Sequence, residues 1–261
     1  MTDARVIDLH SPDGTRLALH DFGGTGDAVL LLPGLCGYAG EWSATAEWLV
    51  ATHHVYALDP RGHGASQTRP GDVSREAHVA DTVAALTRIG PVVLVGQSLG
   101  GHTAMLTAAT RPDLVARLVL VEAGPKGGDG TADTIDRWLA SWPVPFPDLA
   151  TAAEFLGGGL VGPAWAGGLR QHPDGWRPVF ERDVMVATVA GAHAPRWAEF
   201  ARIDCDILLV RGSAGFMDAD EFTRMAEHPK VTAVEVEGAG HDVHLDSPQQ
   251  WRDALTAFLG R

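Results

Sequence analysis

The sequence predicts an α/β fold, in which a mostly parallel eight-stranded sheet carries helices on both faces and an inserted helical lid. Short apolar, β-branched runs alternate with segments of helical periodicity through residue 123. The alternation stops between about residues 124 and 202 and resumes at residue 206. Because strands that alternate with helices pair in parallel through right-handed crossovers, this rhythm predicts a helix-covered sheet. We therefore expect a core domain of residues 1–123 and 203–261, with residues 124–202 inserted as the lid.

The chain is expected to open with an antiparallel pair of strands. Residues 6–9 and 16–20 flank Ser11-Pro12-Asp13-Gly14-Thr15, whose composition is typical of a hairpin turn. Further strands are predicted where apolar residues run together, at 28–32, 54–58, 91–95, 118–122, 206–211 and 231–236. Helices are predicted at 41–49, 74–88, 102–110, 220–227 and 248–259. Ser74 is expected to cap the second of these helices.

Residues 124–202 break this rhythm, yet they are too apolar for a disordered linker. Five of the eight tryptophans lie in them, at positions 138, 142, 165, 176 and 197. A mostly helical lid over the carboxyl edge of the sheet explains both features. We expect most of these rings to form the lid's own core, with substrate contacts from Trp138, Trp142 and Trp165.

Length and charge exclude several classes of protein. With 261 residues, of which 45% are apolar, the chain can bury one large core. Its formal net charge of -13 leaves no basic surface for a phosphate backbone, so we expect no nucleic-acid partner. The N-terminal segment lacks a basic stretch followed by an apolar core, and no run of about 18 apolar residues occurs. These features predict a soluble, cytoplasmic protein without membrane association.

Two cysteines, Cys36 and Cys205, lie far apart in the sequence. One pair in a chain of this length does not make a disulfide framework, so we expect both to be reduced thiols. The sequence implies no metal and no organic cofactor, and it leaves monomer and homodimer open.

The stretch from Gly96 to Gly101 joins a predicted buried strand to a predicted helix. It places Ser98 between two glycines, in the G-x-S-x-G pattern of a nucleophile elbow. In such a turn the serine takes a strained backbone conformation, and glycine is tolerated where a side chain would collide with neighbouring chain. We therefore expect the Ser98 hydroxyl to stand exposed at the carboxyl edge of the sheet.

Three further motifs follow predicted strands. Pro33-Gly34-Leu35 comes after the third strand, residues 59–66 after the fourth, and residues 238–242 after the last. With these motifs and the elbow, the chain resembles the α/β-hydrolase family over nearly its whole length. The resemblance implies the α/β-hydrolase fold. It is much less specific for the reaction, because this fold supports many chemistries.

An alcohol is a poor nucleophile, so Ser98 needs a base that takes its proton as it attacks. The resemblance implies His241 for this role, because the family places its base after the last strand in the order serine, acid, histidine. His244 and His102 lie close to the motifs in sequence, and we expect only supporting roles for them.

The histidine in turn needs a carboxylate that holds its tautomer and offsets its charge. The family's commonest acid follows the seventh strand, where this chain has Gly215 and Phe216, and Asp218 comes slightly later. A second solution resembles that of some haloalkane dehalogenases, whose acid directly follows the sixth strand, here at Glu122. A carboxylate at the end of a buried apolar strand is costly unless it is paired, which favours Glu122. Glu122 and Asp218 both stay open as candidates.

The resemblance also implies an oxyanion hole made by the backbone N–H groups of Leu35 and Leu99. Cys36 borders the same loop, but no base is placed for it, so we do not expect it to act as a nucleophile. Position 98 is serine, whereas haloalkane dehalogenases and epoxide hydrolases of this fold attack with aspartate.

The residues and the resemblance together predict a serine hydrolase for a small-molecule substrate. The expected substrate is a small to medium, largely apolar carboxylic ester, thioester or lactone, cleaved through an acyl-enzyme intermediate. Two alternatives stay open. A carbon–carbon bond hydrolase uses the same three side-chain types, and some members of the fold only bind a ligand.

Overall fold

The computed structural model describes residues 4–128 and 130–260. Their strands are β1 (Arg5–His10), β2 (Arg16–Gly23), β3 (Ala28–Leu32), β4 (His54–Asp59), β5 (Val92–Gln97), β6 (Val115–Val121), β7 (Arg170–His172), β8 (Gly175–Arg177), β9 (Asp206–Gly212) and β10 (Val231–Val236). Their helices are α1 (Ser43–Leu49), α2 (Arg75–Ile89), α3 (Ser98–Thr110), α4 (Thr131–Ala140), α5 (Leu149–Phe155), α6 (Val161–Ala166), α7 (Arg182–Ala190), α8 (Trp197–Phe200), α9 (Ala219–Ala226), α10 (Val243–Asp246) and α11 (Pro248–Leu259).

Eight of the strands in these two described ranges form one sheet, in the order β1-β2-β4-β3-β5-β6-β9-β10. β2 pairs antiparallel with β1 and β4, and every other pairing is parallel. The predicted mostly parallel, eight-stranded α/β sheet is therefore confirmed. Because parallel strands run in one direction, the loops after β3, β5, β6, β9 and β10 all emerge at the carboxyl edge of the sheet.

The two faces of the sheet are each covered by helices and an apolar core. Neighbouring strand residues alternate between the faces, so Leu30 packs toward α2, α3, α8 and α9, whereas Leu31 packs toward α1 and α11. Leu94 and Val95 of β5 alternate in the same way. With both faces buried, the central strands are apolar at nearly every position, as the sequence indicates.

Residues 124–202 hold α4 to α8 and the short hairpin of β7 and β8. Their apolar side chains form a third core, which includes Trp142 and Phe146 and also takes in Cys36 from the loop after β3. The hairpin was not predicted, because two strands of three largely exposed residues carry too little apolar alternation to be read. No helix of the described chain is long and apolar enough to cross a membrane.

Two helix boundaries differ from the sequence prediction. α3 begins at Ser98 rather than at residue 102, because Gly100 and Gly101 weaken the local helix signal while packing against β3 and β6 holds the first turn. The predicted helix 41–49 starts as a 3-10 turn over Ala39–Trp42 before α1 continues it. Ser74 caps α2 as predicted, since its side chain accepts a hydrogen bond from the N–H of Ala77.

A buried arginine ties the loop after β4 to the rest of the core. The Arg61 guanidinium donates to both oxygens of Asp81 on α2, at 2.7 and 2.6 Å, and to Asp13 in the β1-β2 turn at 2.8 Å. This bidentate geometry compensates the desolvation of a side chain that is fully buried.

Candidate active site

Ser98 stands at the junction of β5 and α3 with a backbone φ of +51°. The left-handed conformation is strained for a residue with a Cβ, and it is the conformation expected at a nucleophile elbow. A Cβ on Gly96 would overlap the backbone of Gly100, and one on Gly100 would overlap the carbonyl oxygens of Leu32 and Pro33. The tight turn therefore needs glycine at both flanking positions.

The loop after β3 lies directly against the elbow. A Cβ on Gly34 would lie 3.2 Å from the Cβ of Ser98. Gly34 therefore lies against the elbow, and Leu35 is the next residue of the loop. Leu99 lies in the first turn of α3, where backbone N–H groups have no partner within the helix. Burial, followed by the negative charge of Glu41, raises the pKa of the Cys36 thiol, which keeps this neighbour protonated.

The carboxylate of Glu122 meets His241 across the carboxyl edge. Glu122 Oε2 lies 3.2 Å from His241 Nδ1. Glu122 follows β6 with φ of +51°, a second strained residue at this edge. Backbone N–H groups of Gly212, Phe216 and Met217 donate to its two oxygens at 2.8, 2.6 and 3.0 Å. The β6 terminus and the loop after β9 thus hold the carboxylate in one orientation.

The charge state of Glu122 results from two opposing effects. Burial raises its pKa, but the hydrogen bond with His241 and those from the backbone of Met217 and Gly212 lower it. The hydrogen bonds have the larger effect, so the pKa of Glu122 lies below its usual value. Glu122 is therefore ionised at neutral pH, and its negative charge faces the imidazole of His241.

Gly215 explains why the loop after β9 carries no acid at the position the family most often uses. A Cβ on Gly215 would overlap the carboxylate carbon and both oxygens of Glu122. The Glu122 side chain therefore fills the space that a side chain at position 215 would need. A carboxylate at position 215 and the Glu122 carboxylate would need the same space, so the chain can hold only one of them there.

The structure places Asp218, the other candidate acid, in a different role. Its Oδ1 accepts from the backbone N–H groups of Asp220 and Glu221 at 2.9 and 3.1 Å, which caps α9. Its Oδ2 pairs with Lys126 Nζ at 3.1 Å, and the side chain is 44% exposed. Both oxygens are thus engaged at the helix terminus, whereas Glu122 is the carboxylate that contacts His241.

His102 and His244, expected to be supporting residues, are both buried. His244 stacks on Trp42 with a centroid distance of 4.1 Å, beneath the loop that carries His241. Burial lowers the pKa of each to about 3, so both rings are neutral and act as packing groups.

Two polar residues that sequence reasoning did not select connect the elbow with the histidine loop. Gln97 Nε2 donates to the carbonyl oxygen of His241 at 3.1 Å and to Asp242 Oδ1 at 3.2 Å. Asp242 Oδ2 accepts from the indole N–H of Trp165 at 3.1 Å. The sequence could have indicated Gln97 and Asp242 as site residues, because each directly adjoins a predicted site residue and both are polar groups at a buried edge. Phe216, also not selected, stacks on the His241 ring at 4.6 Å.

The three tryptophans predicted to contact substrate form one aromatic cluster. Trp138 meets Trp142 and Trp165 edge-on, with centroid distances of 5.2 and 6.0 Å. The space between Trp142, Trp165 and the loop at Cys36 is about 10 Å³. A small ligand fills roughly 300 Å³ or more, so the cluster is closed on the loop after β3 in this conformation.

The chain is similar to known proteins along most of its length. Residues 29–254 match the model of the alpha/beta hydrolase family. The chain is 31% identical to the sn-1-specific diacylglycerol lipase ABHD11 of Mus musculus, over 89% of this chain and 80% of the lipase. It is 27% identical to the 2-(acetamidomethylene)succinate hydrolase of Mesorhizobium japonicum, over 90% and 89% of the two chains.

Solved structures show the same fold. The crystal structure of an E-2-(acetamidomethylene)succinate hydrolase superimposes with a TM-score of 0.89 at 23% identity, covering 98% of this chain and all of that one. A thioesterase domain from the curacin biosynthetic pathway superimposes with a TM-score of 0.78 at 22% identity, covering 97% and 99%. The predicted fold and the predicted hydrolase class are confirmed, and the chain belongs to the alpha/beta hydrolase family.

Proposed function

We propose that this chain is a serine hydrolase that cleaves small to medium, largely apolar carboxylic esters, thioesters or lactones. The observation that carries the proposal is the Glu122–His241 contact at the same sheet edge as the strained Ser98. A serine, a histidine and an ionised carboxylate are the three side chains that acyl transfer of this kind uses, and all three lie at this edge. The lipase similarity supports an apolar acyl group.

In the proposed mechanism, the Ser98 Oγ attacks the carbonyl carbon while His241 Nε2 accepts its proton. Glu122 holds the Nδ1–H tautomer and offsets the charge of the imidazolium. The N–H groups of Leu35 and Leu99 stabilise the oxyanion. His241 then returns the proton to the leaving group, and a water molecule activated by the same imidazole hydrolyses the acyl-enzyme.

The test is hydrolysis of p-nitrophenyl esters of increasing acyl length, with the Ser98→Ala protein as control. We expect turnover that peaks at short to medium acyl chains and falls at least about 10⁴-fold in the control, because the nucleophile is lost. Circular dichroism of the variant checks that it folds. Turnover that survives in Ser98→Ala would contradict the proposal.

A second candidate rests on the relative from Mesorhizobium, whose name specifies 2-(acetamidomethylene)succinate and which aligns along nearly all of both chains. Incubation with that compound, followed by mass spectrometry, separates this candidate from the ester reaction. Binding of either substrate class without turnover would instead support a ligand-binding member of the fold.

A further inference from the structure

A small buried cavity lies behind the elbow, between α2, α3 and the loops that follow β3 and β4. Its walls include Arg75 and His78 of α2, His63 of the loop after β4, and Leu99 and Gly100 of α3. Its volume is about 20 Å³. One water molecule needs about 10 to 15 Å³ measured in this way, so the cavity has room for a monatomic species.

Arg75 enters this cavity without a hydrogen-bond partner in the part of the chain that the structure describes. It is 1% exposed, and none of its three guanidinium nitrogens has a hydrogen-bond acceptor among residues 4–128 and 130–260. Burial lowers the pKa of Arg75 only to about 10, so the side chain is cationic at neutral pH. An uncompensated buried charge is among the costliest arrangements in a folded protein.

Two carboxylates of α2, Glu76 and Asp81, act on this charge without a hydrogen bond to it, and Glu76 is exposed and pairs with Arg196. Asp81 also lines the cavity, but its two oxygens accept from the Nε and Nη2 atoms of Arg61. Arg61 also donates to Asp13, so it engages the carboxylates of both Asp81 and Asp13, and the guanidinium of Arg75 is left without a hydrogen-bond acceptor among the described residues.

Backbone dipoles add to the positive potential. Arg75 is the first residue of α2, and Leu99 and Gly100 lie in the first turn of α3, so two helix N-termini adjoin the cavity. Each carries partial positive charge on its free N–H groups. The ring Nε2 atoms of His63 and His78 are buried in the same region without a partner among the described residues.

We propose that this cavity is a binding site for a monatomic anion, with Arg75 as its principal ligand and chloride as its occupant. A volume of about 20 Å³ favours a monatomic anion over phosphate, sulfate or carboxylate groups, and a neutral water molecule would bring no negative charge to Arg75. The anion stabilises the folded chain, because it binds only where folding brings α2 and α3 together. The proposal does not rest on the proposed ester hydrolysis, although Leu99 lines the cavity and also belongs to the proposed oxyanion hole.

The test is thermal unfolding of chloride-free protein in sodium gluconate, compared with sodium chloride at matched ionic strength. We expect the Tm of the wild-type protein to rise with chloride along a saturating curve, by about 5 to 10 °C at 100 times the Kd. In Arg75→Met the chloride response disappears, and the Tm in gluconate is no lower than that of the wild type, since the uncompensated charge is gone. Arg88→Met, an exposed arginine near the other end of α2, keeps the full response.

Crystals of the wild-type protein grown in sodium bromide give a second, direct measurement. We expect an anomalous peak within hydrogen-bond distance of the Arg75 guanidinium, and this result stands even if Arg75→Met does not fold. Equal Tm values in gluconate and chloride, a chloride response retained in folded Arg75→Met, or a water molecule instead of bromide at Arg75 would each overturn the proposal.

Discussion

At the scale of single residues, two strained positions define the candidate site. Ser98 and Glu122 both have φ of +51°, and each directly follows a strand at the carboxyl edge. Such conformations cost on the order of 1 to 3 kcal/mol each and persist only when their surroundings hold them. Here the glycines of the elbow and the three N–H donors to Glu122 supply that support.

The role of Glu122 can be separated from that of Asp218 by paired amide substitutions. We expect Glu122→Gln to lower kcat by about 10³ to 10⁴-fold, because an amide cannot offset the imidazolium charge. Asp218→Asn should change kcat by less than about twofold, since asparagine also caps helices well. Ester turnover and Tm of both variants are the measurements. Loss of turnover in Asp218→Asn alone would refute the assignment.

The packing of Gly215 against Glu122 predicts an unusual sensitivity to one methyl group. In Gly215→Ala the new Cβ displaces the carboxylate, so we expect a loss of about 1 to 3 kcal/mol in unfolding free energy and a lower kcat. Gly71→Ala is the matched control, because a Cβ there meets no atom within 4 Å. Urea unfolding and ester turnover test both variants, and equal behaviour would show that the carboxylate does not occupy that space.

At the scale of elements, the site depends on contacts among three segments far apart in the sequence. Gln97 at the end of β5, Asp242 before α10 and Trp165 on α6 are joined by hydrogen bonds. The helical segment 124–202 therefore contacts the loop that carries His241 through a polar link, and it packs on Cys36 of the loop after β3.

Removal of the hydrogen bond between Trp165 and Asp242 should weaken catalysis even when an aromatic ring is kept at position 165. We expect Trp165→Phe to lower kcat/KM by about tenfold, because the lost hydrogen bond to a carboxylate is worth on the order of 1.5 kcal/mol. Trp138→Phe, which changes a neighbouring ring that is 37% exposed, should stay within about twofold. Steady-state kinetics on one ester measure kcat/KM of both variants. Equal losses of kcat/KM would assign the effect to the aromatic rings and not to the hydrogen bond.

At the scale of the whole molecule, buried neutral histidines link stability to pH. Four histidines of the described chain are buried, namely His63, His78, His102 and His244. Burial lowers the pKa of His63 to about 4, of His102 and His244 to about 3, and of His78 well below its usual value. As the pH falls below about 6.5, the unfolded chain takes up protons that the folded chain cannot bind.

Stability should therefore be fully present above about pH 6.5 and decline toward pH 5, before most carboxylates titrate. Each buried histidine contributes a slope of about 1.4 kcal/mol per pH unit in this window. His244→Phe, which keeps the ring stacked on Trp42, should reduce the slope by one histidine's share. Urea unfolding at pH 8, 6.5 and 5 measures how the free energy of unfolding changes with pH. Identical slopes in the variant and the wild type would show that His244 does not contribute to this pH dependence.

The sequence by itself determined the features that depend on neighbouring residues. Apolar runs, helical spacing and caps predicted the sheet and its helices, and the glycines around Ser98 predicted its strained turn, because each is a local property of the chain. The tertiary structure alone decided which carboxylate contacts His241, how Trp165 reaches Asp242, and that Arg75 is buried with no hydrogen-bond partner among the described residues. These depend on distances between segments that the sequence separates by many residues, and only the packing of the sheet and its helices sets such distances.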